Sequence, residues 1–131
     1  MGYRYLNKNA LGKFEEDCTI RAISCATDES WDCVYEYLSD LAQEEGTMMD
    51  NRKFIIDYLD SQYYRVPNIY GTVGEVSEEF DNNIVLITMD GHITCSKYGI
   101  IYDTFDPRDM YAEFAWIVKW LKAFEGCVTY K

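Results

Sequence analysis

The sequence predicts an α+β fold in which N-terminal helices pack on an antiparallel β-sheet. Two patterns carry that reading. Between about residues 18 and 61 apolar side chains recur at helical spacing. From residue 84 onward they fall in short runs separated by turn dipeptides, Asp90-Gly91 and Tyr98-Gly99. A third observation bounds it. The 131 residues are 48% hydrophobic and 16% aromatic, enough to bury a core, and they hold only two prolines and no linker-like tract, so a single domain over residues 1–131 is expected.

Taken in order, an extended piece around Tyr3 to Leu6 comes first. Asp17 is placed to cap a helix from Cys18 to about Ala26, with Ile20 and Ile23 facing inward. Ser30 caps a second helix whose apolar face is Trp31, Val34, Tyr35, Leu38, Leu41 and Ala42, and Gly46 stops it. Thr47 and Asp50 resemble a capping box for a third helix carrying Ile55, Ile56 and Leu59 and ending near Ser61. Thr72 to Glu79 reads as a short helix. Ile84 to Met89 is a buried strand, His92 to Lys97 follows the Asp90-Gly91 turn, and Tyr98-Gly99 returns the chain through Ile100 to Thr104 as a hairpin. Asp106 and Pro107 have the cap-then-proline order of a helix start, with Phe114, Ile117, Leu121 and Phe124 on one face. Cys127 to Tyr130 reads as a last strand.

Charge excludes several classes of partner. The net charge is -11, from acidic residues spread along the chain, which disfavours phosphate backbones and anionic membrane surfaces, so neither nucleic acid nor membrane is an expected partner. No apolar run reaches the ~20 residues that span a bilayer, and Met1-Gly2-Tyr3-Arg4-Tyr5 lacks the layout of a secretory signal, so a cytoplasmic protein is expected. Five cysteines without close pairing suit reduced thiols better than a disulfide framework. Cys25, Cys33, Cys95 and Cys127 are assigned to packing. With one histidine and no C-x-x-C pair, no metal site is expected, and no phosphate-cradling glycine loop or G-x-S-x-G motif occurs.

The remaining chemistry lies in Cys18, His92 and Asp103. A thiolate is the nucleophilic form of cysteine, and the unpaired N–H groups at a helix N-terminus favour it, as does a neighbouring imidazolium. Glu15, Glu16 and Asp17 act in the opposite direction, so the imidazole must come close for the thiolate to win. The hairpin decides whether Asp103 orients His92. With a two-residue Tyr98-Gly99 loop, Lys97 pairs with Ile100 and Thr94 with Asp103, leaving His92 and Asp103 diagonal neighbours on one face, about 7 to 8 Å apart at Cα. A three-residue loop with a bulge at Gly99 turns Asp103 away. Each residue also has a plainer reading: Cys18 as a small buried side chain, His92 as a turn residue, Asp103 as the start of a loop. Arg21 reads as a surface or salt-bridge residue rather than a substrate clamp.

The segments Asp17-Cys18-Thr19-Ile20-Arg21-Ala22-Ile23, Gly91-His92-Ile93-Thr94 and Gly99-Ile100-Ile101-Tyr102-Asp103-Thr104-Phe105-Asp106 resemble the papain-like cysteine peptidase superfamily, in particular the small C39-like proteins of phages and mobile elements. The resemblance covers about two-thirds of the chain, from Cys18 to Asp106. It implies a helix bearing the nucleophile packed against a sheet bearing the histidine and acid, with Cys18 as nucleophile, His92 as general base and acid, and Asp103 as orienter. The chain departs from the family where a glutamine usually precedes the cysteine: that stretch reads Gly12-Lys13-Phe14-Glu15-Glu16, and the nearest upstream carboxamides, the candidate oxyanion donors, are Asn7 and Asn9. Losing one oxyanion donor slows such enzymes on the order of 10²- to 10³-fold.

Two functions follow as expectations. One is a small cysteine hydrolase, a peptidase, isopeptidase or related acyl-transfer enzyme, acting on a peptide or protein substrate through a thioester at Cys18 without cofactor. The other is a papain-like scaffold serving as an acidic, phage-type binding or inhibitor protein against a host partner in the host cytoplasm. The intact Cys/His/Asp set favours the first, and the charge and missing glutamine the second.

Overall fold

In the computed structural model, which describes residues 2–118, a six-stranded sheet carries helices on both faces. The elements run β1 (Gly2–Tyr5), α1 (Cys18–Thr27), α2 (Trp31–Glu45), α3 (Arg52–Gln62), β2 (Tyr64–Arg65), α4 (Val73–Glu79), β3 (Ile84–Met89), β4 (His92–Lys97), β5 (Ile100–Asp103) and β6 (Phe114–Ile117). The α+β class is as expected. The sheet, ordered β1-β5-β4-β3-β6-β2, is mixed rather than purely antiparallel, because β1 lies parallel to β5 while every other pair is antiparallel. A parallel pair needs a long crossover, and the helices and inner strands between β1 and β5 supply it.

The inner strands are buried on both faces, which explains their near-continuous apolar runs. On β3, Leu86 packs with α1, α2 and α3, while Val85, Ile87 and Met89 pack with Val73 and Val76 of α4. Helix ends follow local chemistry. The Ser30 hydroxyl accepts from the Cys33 N–H at 3.0 Å, and Gly46, at φ 71°, closes α2 by donating to Ala42 and Gln43. Thr72 and Glu75 form a reciprocal capping box on α4.

Several expectations are corrected. The carboxylate of Asp17 does not cap α1. Asn51, not Thr47 or Asp50, caps α3, accepting from the Phe54 N–H at 3.0 Å. No helix starts at Pro107: Asp106 Oδ1 accepts from the Arg108 N–H instead, and the carbonyls of Arg108 and Met110 accept from Gly74 and Val73 at the start of α4. Phe114 and Ile117 therefore belong to β6, whose Ala115 and Trp116 are fully buried between β3 and β2. Four apolar residues do not distinguish a strand from a helical turn. Leu121, Phe124 and the expected strand at 127–130 lie outside the described residues. Cys18, Cys25 and Cys95 are free thiols, whereas Cys33 is disulfide-bonded, against the reduced state expected of it. Unpaired close spacing says nothing about cysteines that meet from distant parts of a chain. Among the described residues no helix is long and apolar enough to cross a membrane.

The β4–β5 hairpin positions the candidate site. Its loop is the two-residue form, with Lys97 opposite Ile100, Ser96 opposite Ile101 and Cys95 opposite Tyr102. Tyr98 and Gly99 both have positive φ, 54° and 83°, as a turn matching the right-handed strand twist requires. Replacing Gly99 by Ala is expected to destabilise the fold by more than about 1 kcal/mol, read as a lower urea midpoint, because Gly99 has no strain-free alternative there.

Candidate active site

Three elements converge on one point: the first residue of α1, the first of β4 and the last of β5. They bring Cys18, His92 and Asp103 together. His92 Nε2 lies 2.7 Å from Asp103 Oδ2, with the two side chains 12% and 2% exposed. That leaves Nδ1 as the ring nitrogen available to the Cys18 thiol, which sits against the imidazole and beside the backbone N–H of Ile93. Continuing the hairpin register by one residue sets Thr94 opposite Asp103, so the short contact between His92 and Asp103 is the diagonal one that the two-residue loop allows.

The electrostatics favour a charged pair. Burial resists ionisation of both partners, but it is outweighed. The hydrogen bonds of His92 to Asp103 and Cys18, with their charges, push the imidazole up from its ordinary 6.5 to about 9. Burial likewise raises the Cys18 thiol, yet the hydrogen bond and charge of His92, the Ile93 N–H and the charge of Arg21 bring it below the ordinary value. The Asp103 carboxyl is also held low: burial acts against it, and the hydrogen bond and charge of His92 and the Thr104 N–H prevail. The Phe105 ring, 4.7 Å from that of His92 between centroids, covers the imidazole on one side.

Arg21 extends the constellation, and it is a salt-bridge residue of the interior rather than of the surface. Its Nη1 lies 3.2 Å from Asp103 Oδ1, and its Nε 2.7 Å from Asp17 Oδ1. Asp17 in turn accepts from Asn9 Nδ2 at 3.0 Å and Trp31 Nε1 at 2.9 Å, and with Arg21 these donors outweigh burial to keep its carboxyl ionised. The signal in the sequence was the i,i+4 spacing of Asp17 and Arg21 on the helix that carries Cys18. Phe105 and Trp31 left no comparable signal, because aromatic residues are ordinary core and rim material.

Asn7 and Asn9, expected as oxyanion donors, are engaged within the loop before α1, and neither lines the cleft at Cys18 and His92. Asn7 Nδ2 donates to the Lys13 carbonyl, and Asn9 binds Asp17 through Nδ2 and the Leu11 and Lys13 N–H groups through Oδ1. Both carboxamides hold the loop before α1 in shape. The first helical hydrogen bond of α1 runs from the Arg21 N–H to the Asp17 carbonyl, so the amides of residues 18–20 precede the ladder and no side chain caps them.

Cys18 and His92 open into a cleft of about 430 Å³, also lined by Ile55, Ile56 and Phe105. Among the described residues no group of three His, Cys, Asp or Glu side chains is arranged to hold a metal ion. No known family model, curated protein or solved structure matches the chain.

Two outcomes test this geometry. Asp103→Asn is expected to drop the His92 pKa from about 9 toward 6.5, measured by NMR titration of the ring. Because the folded-state value is the raised one, the stability His92 adds is complete below 6.5 and is lost as pH rises through about 9, so the alkaline decline in urea stability should flatten in Asp103→Asn. Arg21→Gln, which removes the buried cation shared by the carboxylates of Asp17 and Asp103, is expected to cost roughly 3–5 kcal/mol in the same assay.

Proposed function

We propose that the chain is a small cysteine hydrolase of papain-like design, acting on an amide, isopeptide or related acyl bond through a thioester at Cys18. The observation that carries this reading is the Cys18 thiol against an imidazole whose other nitrogen is 2.7 Å from a buried carboxylate. A base adjacent to the nucleophile and a third group orienting the base is the arrangement by which thiols become acyl acceptors.

The steps follow from the groups present. The Cys18 thiolate attacks the carbonyl carbon, forming a C–S bond, and the oxygen becomes an oxyanion. The N-terminal amides of α1, beginning with that of Cys18, carry no side-chain cap and are the donors this reading assigns to that oxygen. Collapse breaks the C–N bond while the His92 imidazolium gives its proton to the departing amine. His92, now neutral, removes a proton from water, whose oxygen attacks the thioester. The acid leaves, and the thiolate and imidazolium are restored. Asp103 holds the ring throughout and stabilises its charged form.

The second reading is an inactive papain-like scaffold that binds a basic surface of a host partner. The net charge of -11 and the commitment of Asn7 and Asn9 to the loop favour it. Reactivity separates the two. For the hydrolase, iodoacetamide labels Cys18 at about pH 6 faster than an ordinary exposed thiol, and His92→Ala slows that labelling at least about tenfold. Labelling at the ordinary rate in both proteins refutes it. Turnover is expected to appear as the Cys18 thiol ionises and to decline as the imidazolium deprotonates near about 9, giving a bell-shaped profile of kcat/KM.

A further inference from the structure

Beside the cleft that holds Cys18 lies a larger one of about 640 Å³, and Glu15, Glu16, Thr19 and Asp50 line both. The two are lobes of one groove passing the N-terminus of α1. The second lobe is apolar at its base. Ile20 and Leu38 are buried there, and Trp31 and Tyr35 stack at 5.1 Å between centroids along one side. The Trp31 ring is fixed by its hydrogen bond to Asp17, so this surface is preformed.

The charges of the groove have one dominant sign. Glu15, Glu16, Asp32 and Asp50 form no ion pair among the described residues, while Asp17 is committed to Arg21. Against them stand Lys13 in the larger lobe and Arg52, Arg21 and His92 in the smaller, of which Arg52 is already paired with Glu113 at 3.2 Å and Arg21 and His92 with Asp103 at 3.2 and 2.7 Å. A cleft lined by one sign of charge with low-dielectric walls concentrates ligands of the opposite sign.

We propose that this groove binds the substrate as a peptide segment carrying a basic side chain next to a bulky apolar one, the apolar group seated on Trp31, Tyr35 and Leu38 and the basic group facing Glu15, Glu16 and Asp50. The volume falls in the range of about 300–1,000 Å³ typical of ligand sites, and few-polar, largely apolar lining is their usual composition. The four lining residues that both lobes share place the basic group between the apolar lobe and the thiol. An acidic segment meets unpaired carboxylates instead and is repelled. The inference rests on the reading of Cys18 as the acylated nucleophile.

The test is a matched set of short peptidyl vinyl sulfones sharing one bulky apolar residue and differing in a neighbouring Lys, Gln or Glu. Labelling of Cys18 is followed by mass spectrometry, and each rate is divided by the same protein's iodoacetamide rate. The Lys probe is expected to outpace the Glu probe by about tenfold at low salt, with the ratio shrinking as salt rises. In the combined variant Glu15→Gln, Glu16→Gln, Asp50→Asn the ratio is expected to fall to within about twofold, and exchanging the apolar residue of the Lys probe for Gly should slow it about tenfold. Equal Lys and Glu rates in the wild type, or a preference that the combined variant retains, overturn the proposal. If iodoacetamide finds no activated thiol, the nucleophile reading fails by itself. The groove is then judged by fluorescence anisotropy with the corresponding unreactive peptides: a preference for Lys over Glu that the combined variant loses supports it, and equal affinities refute it.

Discussion

The site depends on a buried chain of alternating charge. Starting at the thiol it runs through imidazolium, carboxylate, guanidinium and carboxylate: Cys18, His92, Asp103, Arg21, Asp17, with Asp103 the most buried member. Any one of these ions alone in the interior would carry a desolvation penalty of several kcal/mol, and neutralisation would be the cheaper outcome. In sequence each is flanked by the opposite sign and held by directed hydrogen bonds, which favour the charged forms of His92, Asp103 and Asp17 and lower the Cys18 pKa. The chain ends in neutral donors, Asn9 and Trp31, which satisfy Asp17 without adding charge.

That arrangement constrains the fold around it. Asp17, Cys18 and Arg21 sit on or beside one turn of α1, His92 on β4 and Asp103 on β5, so three elements must keep their relative positions. The hairpin is pinned by its positive-φ turn, and the Asp103 carbonyl is held from the far side by the Leu6 N–H at 2.9 Å and the Tyr3 hydroxyl at 3.1 Å. Strand β1, pairing parallel to β5, thus buttresses Asp103. The parallel edge that the sequence did not reveal therefore has a positional role: it fixes the backbone behind the residue that holds His92.

What could be read from the sequence follows the range of the forces involved. Ser30 and Gly46 bracket α2 through contacts within four residues, and Tyr98-Gly99 sets a register through the positive φ of two residues, so these were legible. So was the diagonal relation of His92 to Asp103, which is a consequence of that register. Asp17 was misread because an acid before a helix is usually a cap. Here a guanidinium, an indole N–H and a carboxamide, supplied by residues outside the cap position, compete for its carboxylate and win. The Asp106-Pro107 start failed for the same kind of reason. The carbonyls of Arg108 and Met110 that follow it are taken by α4, a partner the local sequence does not display. The Asn7 and Asn9 assignment rested on proximity in sequence alone, and the loop uses both carboxamides to hold itself together.

The relation between groove and thiol gives the acidic balance of the chain a local meaning. Carboxylates at the mouth oppose thiolate formation, and the interior answers with two cations, His92 in contact and Arg21 behind it, both of which lower the Cys18 pKa. The opposition is asymmetric because of dielectric. Glu15 and Glu16 are exposed and screened by water, whereas His92 and Arg21 act from the buried side, where the same charge at the same distance is felt several times more strongly. A chain can therefore present a strongly acidic face to its surroundings and still hold a thiol below its ordinary pKa, provided the compensating cations are inside. The carboxylates act on the sulfur from the screened side and the cations from the buried side, so the balance at Cys18 is set by the interior.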